Sequence, residues 1–435
     1  MSVTRVRARK GGPVLQPPGR LPGLRRVSTR FGRLLGKRFT HKNIGVLTEV
    51  LRAYVGLRRF EKSIRGHGVN IFTQWVGDPD ALGSAVMLQA ILGELGASEV
   101  RILTGSLGHP QNRNLVEKCR IRLFEPNAGR IPDGLNCMVD TSPPLGTANT
   151  GRAEPVTDYF FVADHHADPE DVERACRDHG VKRVQLAFVG LPVGSTSAFL
   201  AALGLLFDVW ETIGPAGRAA AGLGIYTDTS ALLHGPTALD FRMFEKLTRD
   251  DDTSDVLDEL RDYRLPPEWF IHRAVAFQNM LTRGAVRVAA VGYVRDAERD
   301  VIAEIASELL RIEGTSIATA VAVTDLGTEV SIRADSRLLG RDHQRIVDVI
   351  DHLLEYAFPG VSGFKYERRP PHRVEGGACI PHEQSEELMW RLGATRGGPD
   401  GQEALLEHCR SIARALIAVL EDLKFARPAE TAGLL

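Results

Sequence analysis

Val69-Asn70-Ile71-Phe72-Thr73-Gln74-Trp75-Val76-Gly77-Asp78-Pro79-Asp80-Ala81-Leu82-Gly83-Ser84 is the stretch that decides how the chain is built. Its first half, 69–76, is β-rich and apolar enough for a buried strand. Its second half is an acidic turn that yields at Ser84 to an apolar-periodic helix, Ala85–Leu95. A strand that ends in carboxylates and passes straight into a helix is half of a βαβ unit. Downstream lie Val100–Leu103, Asn136–Val139 and Phe160–Ala163, short apolar runs of strand length, with helical sequence between them, as around Asn112–Lys118. Upstream, Ile44–Lys62 reads as a helix that packs on these later elements. Strands alternating with helices predict an α/β fold with a mostly parallel sheet, whose ligands gather at the carboxyl ends of the strands.

Four acidic clusters fall where such ends are expected. The first is Asp78-Pro79-Asp80, whose carboxylates, one residue apart, can reach different metal ions. Gly83 and Ser84 let the backbone turn tightly into the helix, and a plain helix cap explains the same residues. The second is Asp140, before Thr141-Ser142-Pro143, which also suits an ordinary turn. The third, Asp164-His165-His166, is harder to explain structurally, because two imidazoles at the tip of a buried strand are costly unless they bind something. The fourth is Asp228, within Gly224-Ile225-Tyr226-Thr227-Asp228-Thr229. Asp78, Asp80, Asp140, His165 and Asp228 form a hard-oxygen set with one nitrogen, suited to octahedral Mn²⁺ or Mg²⁺ rather than to structural zinc. Carboxylates at this density fit two ions about 3.5–4 Å apart, the arrangement that hydrolyses phosphate esters.

The rest of the chain frames this set. Its 435 residues are too many for one ordinary core, and predict two domains. Five scattered cysteines fit a reducing compartment, and no secretory core or membrane-length apolar run is present, so a cytoplasmic protein with no membrane partner is expected. The net charge of -1 hides a basic leader: residues 1–42 hold twelve Lys or Arg and no acid, leaving 42 basic against 55 acidic residues, or -13, in the remainder. That leader reads as a disordered extension, as an arm for nucleic acid or an acidic surface, or as a transit segment. A second region begins near Gly284, with strand-like Val286–Val294, helical Ile302–Leu310, and a hairpin pairing Ile317–Val323 with Glu329–Arg333. A charged helical connector precedes it. In the helix from about Glu403 to Leu423, Leu405, Cys409, Ile412, Leu416, Val419, Leu420 and Leu423 form one apolar stripe, which core packing or a homodimer seam explains equally well.

The order Asp-x-Asp-Ala-x-Gly-Ser, Asp, Asp-His-His, Asp-Thr resembles the DHH phosphoesterases, over about residues 69–240 for their catalytic domain and more weakly over 284–385 for the DHH-associated domain. The resemblance is to the oligoribonuclease and cyclic-dinucleotide phosphodiesterase branch. It implies a DHH metal-binding domain, 44–240, and a smaller α/β substrate-binding domain across a cleft, 284–385; the basic leader 1–43, the connector 241–283 and the helical tail 386–435, read from composition and pattern, complete the division. It also implies that Asp78 binds the first ion, Asp80 the second, that Asp140 bridges them, and that His165 and Asp228 complete the second. Asp164 would orient His165, and His166 would meet the substrate phosphate or protonate the leaving oxygen. Ser331-Ile332-Arg333 resembles a Ser-x-Arg element in which Arg333 grips a phosphate, with a solvated strand residue as the plainer reading. Glu375-Gly376-Gly377-Ala378 resembles a glycine-rich turn that approaches the substrate. Gly194-Ser195-Thr196-Ser197 resembles a small-residue turn before a helix, or is simply a helix cap.

Two departures stand out. Gln74 occupies a position that is His in this branch, and Ala378 stands where the turn of the associated domain ends in His. What the resemblance implies is a manganese-dependent phosphoesterase acting on short oligonucleotides or nucleotides, through a water shared and acidified by two divalent ions. The alternatives are a degenerate member that senses a nucleotide without hydrolysing it, and an inorganic pyro- or polyphosphatase. A serine hydrolase using Ser84 or Ser195 ranks behind these, because the Gly-x-Ser-x-Gly elbow is missing.

Overall fold

The structure, a computed structural model, describes residues 41–74, 76–124, 131–143, 156–166, 168–233, 235–335, 365–369, 373–381 and 399–422. Most of the leader and much of the tail lie outside these residues. The chain divides at Tyr263–Arg264 into two units, so the stretch 241–283 contributes to both.

In the N-terminal unit, α1 (His41–Arg59) and the short α2 (Glu61–Ile64) lead into β1 (Gly68–Phe72), α3 (Pro79–Glu94), β2 (Glu99–Leu103), α4 (Pro110–Lys118), β3 (Leu135–Val139) and β4 (Asp158–Asp164). Then come α5 (Pro169–Asp178), β5 (Arg183–Val189), α6 (Thr196–Phe207), α7 (Trp210–Asp228), α8 (Ala238–Leu247) and α9 (Asp251–Arg261). The five strands form one parallel sheet in the order β2-β1-β3-β4-β5. Chain direction across the sheet reverses between β1 and β3, and ligands of open α/β sheets bind outside the strand ends at such a point.

Both sheet faces are covered, with side chains alternating between them. Val69, Ile71, Cys137, Val139, Phe161 and Ala163 enter the core formed with α1, α3 and α6. Phe72, Leu103, Met138, Tyr159 and Val162 enter a second core with Val172 and Cys176 of α5. Helix α6 is apolar nearly all round and is buried to match. Strand β5 escapes a run-based reading because Arg183 and Gln185 interrupt it; as an edge strand it is buried only at alternate positions.

Two boundaries differ from the sequence expectation. The strand expected over 69–76 ends at Phe72, and the helix expected from Ala85 begins at Pro79. The reason is local: Asp78 caps the helix by accepting from the Ala81 amide, and proline is well suited to the first helical position. The sequence pattern places Asp228 at a strand end. It is instead the last residue of α7, a helix broken near its start by Gly214, whose φ of 63° only glycine adopts readily, and by Pro215.

The C-terminal unit contains α10 (Pro267–Gln278), β6 (Met280–Arg283), β7 (Val286–Tyr293), α11 (Asp300–Leu310), β8 (Ile317–Val323), β9 (Gly327–Asp335), β10 (Lys365–Arg369), β11 (Arg373–Pro381) and α12 (Pro399–Asp422). Its sheet runs β10-β11-β9-β8-β7-β6, with β7 and β8 parallel and every other pair antiparallel. The stripe Leu405, Cys409, Ile412, Leu416, Val419 and Leu420 of α12 packs into the core on one face of this sheet, while Trp269 and α11 cover the other. Core packing therefore accounts for the stripe as far as Leu420; Leu423 lies outside the described residues. Among the described residues no helix is long and apolar enough to cross a membrane.

Candidate metal centre

The strand ends β1, β3 and β4, the first turns of α3 and α6, and the last turn of α7 bring their polar residues together. Close approach of the helices needs glycine at two positions. A Cβ on Gly224 of α7 would lie 2.5 Å from Ser197 Oγ and 2.9 Å from Asp80 Cα. A Cβ on Gly83 of α3 would lie 2.7 Å from Ala220 O. These approaches set Asp80 and Asp228 around the same point.

Asp140 leaves β3 with φ 59°, a left-handed conformation that Asp tolerates better than most residues, while its amide donates to Ala163 O at 2.8 Å. This turn carries its carboxylate across the strand ends. His165 Nε2 lies 2.9 Å from Asp228 Oδ2, 3.6 Å from Asp140 Oδ1 and 3.8 Å from Asp80 Oδ2. His166 Nδ1 lies 3.0 Å from Asp164 Oδ1 and 3.7 Å from Asp140 Oδ1. Two donor groups result, Asp140–His165–His166 and Asp80–His165–Asp228, each with ligand atoms within 4.8 Å of one another.

Asp164 acts on His166 rather than on His165, the partner that the resemblance implies. Its Oδ1 accepts from the His166 amide at 3.0 Å and meets the ring Nδ1, while Oδ2 accepts from Ser142 Oγ at 2.5 Å. Asp78 belongs to neither donor group. Its Oδ1 accepts from Ala81 N at 2.9 Å, and its Oδ2 accepts from the Gln74 side-chain amide.

The charges explain what this arrangement lacks. Burial, and then the neighbouring Asp228 carboxylate, pushes Asp78 up to about 6 and raises Asp80 as well. Asp140 is driven well above the usual carboxylate range by burial and then by Asp80 and Asp78. Burial works against a charged His165, yet Asp228 and the other carboxylates outweigh it and raise the imidazole to about 10. Asp164 is disfavoured by burial but held below the usual range by His166 and Ser142. Crowded carboxylates of this kind are relieved by a cation placed among them. Asp140 Oδ2 is buried with no hydrogen-bond partner. A buried, unpartnered carboxylate oxygen in a residue that touches this cluster fits a divalent ion.

Three residues outside the expected set shape the centre. The Thr196 and Ser197 amides donate to Asp80 Oδ2 and Oδ1 at 2.7 and 2.8 Å, and Thr196 Oγ1 donates to Asp140 Oδ1 at 2.9 Å. Asp240 accepts from Gly194 N at 2.8 Å and Ser195 Oγ at 3.1 Å, besides closing a capping box with Thr237. The Ser-Thr-Ser run is visible in the sequence as a helix cap, and Thr237-x-x-Asp240 as a second. Neither pattern says which carboxylate it will meet. Ser195 bonds Asp240 and caps Ala198, and Ser84 meets Ser197, so neither hydroxyl is paired with a histidine as a nucleophile would need.

The remaining expected residues lie in the C-terminal unit. The Arg333 guanidinium donates to Ser307 Oγ and Ser331 Oγ at 3.2 and 3.3 Å and pairs with Glu375 at 3.6 Å. Gly376 and Gly377, expected in a turn, lie instead within β11, paired on one side with Tyr366 and Lys365 and on the other with Ile332 and Ser331. Their amides therefore belong to a sheet interior rather than to an open phosphate loop.

No protein-family model and no curated protein matches the chain. Among solved structures it is similar to an exopolyphosphatase-related protein from Bacteroides fragilis, with a TM-score of 0.51 and 13% identity over 84% of this chain and 97% of that one. RecJ in complex with Mn²⁺ from Thermus thermophilus aligns with a TM-score of 0.35 and 13% identity over 87% of this chain and 60% of that one. At these identities the first likeness is one of fold.

Proposed function

We propose that the chain is a DHH-family, metal-dependent phosphoesterase that hydrolyses phosphodiester or phosphomonoester bonds of short oligonucleotides or nucleotides, using two divalent ions, Mn²⁺ foremost. The observation that carries this reading is the convergence of Asp80, Asp140, His165 and Asp228, with Asp140 Oδ2 buried and unpartnered. A fold shared with an exopolyphosphatase-related protein supports the reaction class. Three carboxylates, those of Asp80, Asp140 and Asp228, beside the imidazoles of His165 and His166 make an oxygen-rich donor set that favours Mn²⁺ or Mg²⁺.

Divalent ions bound here would supply Lewis acidity toward a phosphoryl oxygen and lower the pKa of water. The chain's own residues do the rest. Asp80, Asp140, His165 and Asp228 would hold the ions, with Asp78 at the margin. Asp164, fixed by Ser142, holds the His166 ring through Nδ1. The His166 ring held in this way would be the group that passes a proton to the leaving oxygen. Arg333 is engaged with Glu375 and Ser307, and the reading does not depend on it.

The test is release of p-nitrophenol from bis-p-nitrophenyl phosphate, followed by product analysis on short RNAs, cyclic dinucleotides, phosphoadenosine phosphate and pyrophosphate. Turnover that needs Mn²⁺ and stops with EDTA is the expected result. The Gln74–Asp78 hydrogen bond favours one second reading, a sensor that binds a nucleotide without hydrolysing it. Saturable nucleotide binding with no product at any Mn²⁺ concentration would select the sensor. Folded protein that binds neither metal nor nucleotide would defeat both.

A further inference from the structure

Thr196 is fully buried at the first position of α6 and touches two of the candidate ligands at once. Its amide reaches Asp80 Oδ2 and its hydroxyl reaches Asp140 Oδ1. Those carboxylates arrive from different places, one from the turn after β1 and the other from the left-handed end of β3. A single residue therefore bridges the two.

The hydroxyl is not required by the helix. Ser195 already caps α6, accepting from Ala198 N at 3.2 Å. The Thr196 donation to Asp140 is surplus to local structure, and its effect on the carboxylate is specific. Oδ1 is held by the hydroxyl, whereas Oδ2 stays buried without a hydrogen-bond partner. The segment is anchored from behind, because Asp240 holds Gly194 and Ser195. A Cβ at Gly194 would come within 2.7 Å of Thr229 Cγ2 and 3.0 Å of Asp240 Oδ2, so the turn fits only as it stands.

We propose that Thr196 is a positioning residue of the metal centre, whose hydroxyl fixes the Asp140 carboxylate by Oδ1, the oxygen beside His165 and His166, and leaves Oδ2 without a protein donor. The inference rests on the metal-centre reading above. Hydrogen-bond partners of metal ligands typically change affinity about 10–100-fold when removed.

The test is calorimetric titration of the full chain with MnCl₂, wild type against Thr196→Val and Thr196→Ser, with the melting temperature of each metal-free protein measured alongside. Thr196→Val keeps the shape and removes the donor, so its Kd for Mn²⁺ is expected to weaken by roughly 10–100-fold. Thr196→Ser keeps the donor and should bind close to wild type, a rescue that a purely structural role would not produce. Should the valine variant fail to fold, Thr196→Ala removes the same hydroxyl without placing a methyl group against Asp140. Folded Val or Ala variants that bind Mn²⁺ like wild type overturn the proposal, as does a folded Ser variant that loses affinity. Wild type that takes up no Mn²⁺ overturns the metal-centre reading itself, and this inference with it.

Discussion

At one corner of the candidate centre, Asp80, Asp140, His165 and Asp228 converge from two strand ends and two helix ends, and Asp140 keeps an unpartnered oxygen. At the other, Asp78 has both oxygens engaged, one by its own helix through Ala81 and one by the Gln74 amide. The two Asp residues of one Asp-Pro-Asp turn thus have different surroundings. Asp80 also has both oxygens engaged, by the Thr196 and Ser197 amides, yet it still stands in a donor group with His165 and Asp228; Asp78 caps the helix it starts and stands in none. A carboxylate pair in a motif, then, need not be a pair of equivalent ligands. One strong ion site and one weak one are the expected consequence.

The hardest blow to this contrast is Asp140→Asn. Asn tolerates the left-handed φ, so the fold should survive. Mn²⁺ affinity should fall by more than the roughly hundredfold upper range for outer partners, because a ligand itself is lost. Turnover should disappear with it. Calorimetry and the diester assay check both, and Mn²⁺-dependent turnover like that of wild type would defeat the assignment.

Next in size is Gly224→Ala. In an ordinary helix interior this change stabilises by about 0.5–1 kcal/mol. Here the new methyl group meets Ser197 Oγ, Asp80 Cα and Pro79 O at 2.5–2.9 Å, and two of those three are backbone that cannot move aside. Overpacking of about 1–3 kcal/mol should win. The sign is measurable as a lower melting temperature, accompanied by weaker Mn²⁺ binding as Asp80 is displaced. A stabilised variant would show that α3 and α7 do not approach as closely as described.

Asp78→Asn should cost less. The strong corner keeps its four donors, so one equivalent of Mn²⁺ should still bind near wild-type affinity, while a second, weaker equivalent is lost. Titration to stoichiometry separates the two. Loss of all metal binding in a folded variant would make the corners one site.

How much of this was legible in the sequence depended on whether local pattern or distant contact carries the information. The strands at 100–103, 136–139 and 160–163 could be read because buried parallel strands are continuous apolar runs. Edge strand β5, polar at alternate positions, could not. The acidic and histidine residues stood out by type, and the resemblance gave their order. Asp228 at the end of a helix, Asp164 bonded to His166, and the grip of Thr196 and Ser197 on Asp80 all depend on packing between distant segments or on side-chain rotamers, which no local pattern encodes. Gly376 and Gly377 show the opposite failure. A double glycine suggests a turn, but the strands on either side of them decide the matter.

The smallest effect, and the one most specific to the weak corner, belongs to Gln74→His. The Gln74 amide is a neutral donor, and its bond to Asp78 uses an oxygen that an ion would otherwise share. Imidazole at the same place offers a nitrogen lone pair suited to Mn²⁺, and it can still hydrogen-bond Asp78 through its other nitrogen. The weak equivalent should tighten, but by less than the roughly tenfold change that 1.4 kcal/mol represents, because Ala81 N still holds Asp78 Oδ1. The strong equivalent should not move, since none of its donors touches residue 74. If instead both equivalents tighten together in a calorimetric titration, the two corners are coupled through Asp78 and act as one centre. If neither moves, the hydrogen bond from Gln74 is not what weakens the site, and the helix cap alone must be holding Asp78 away from the ion.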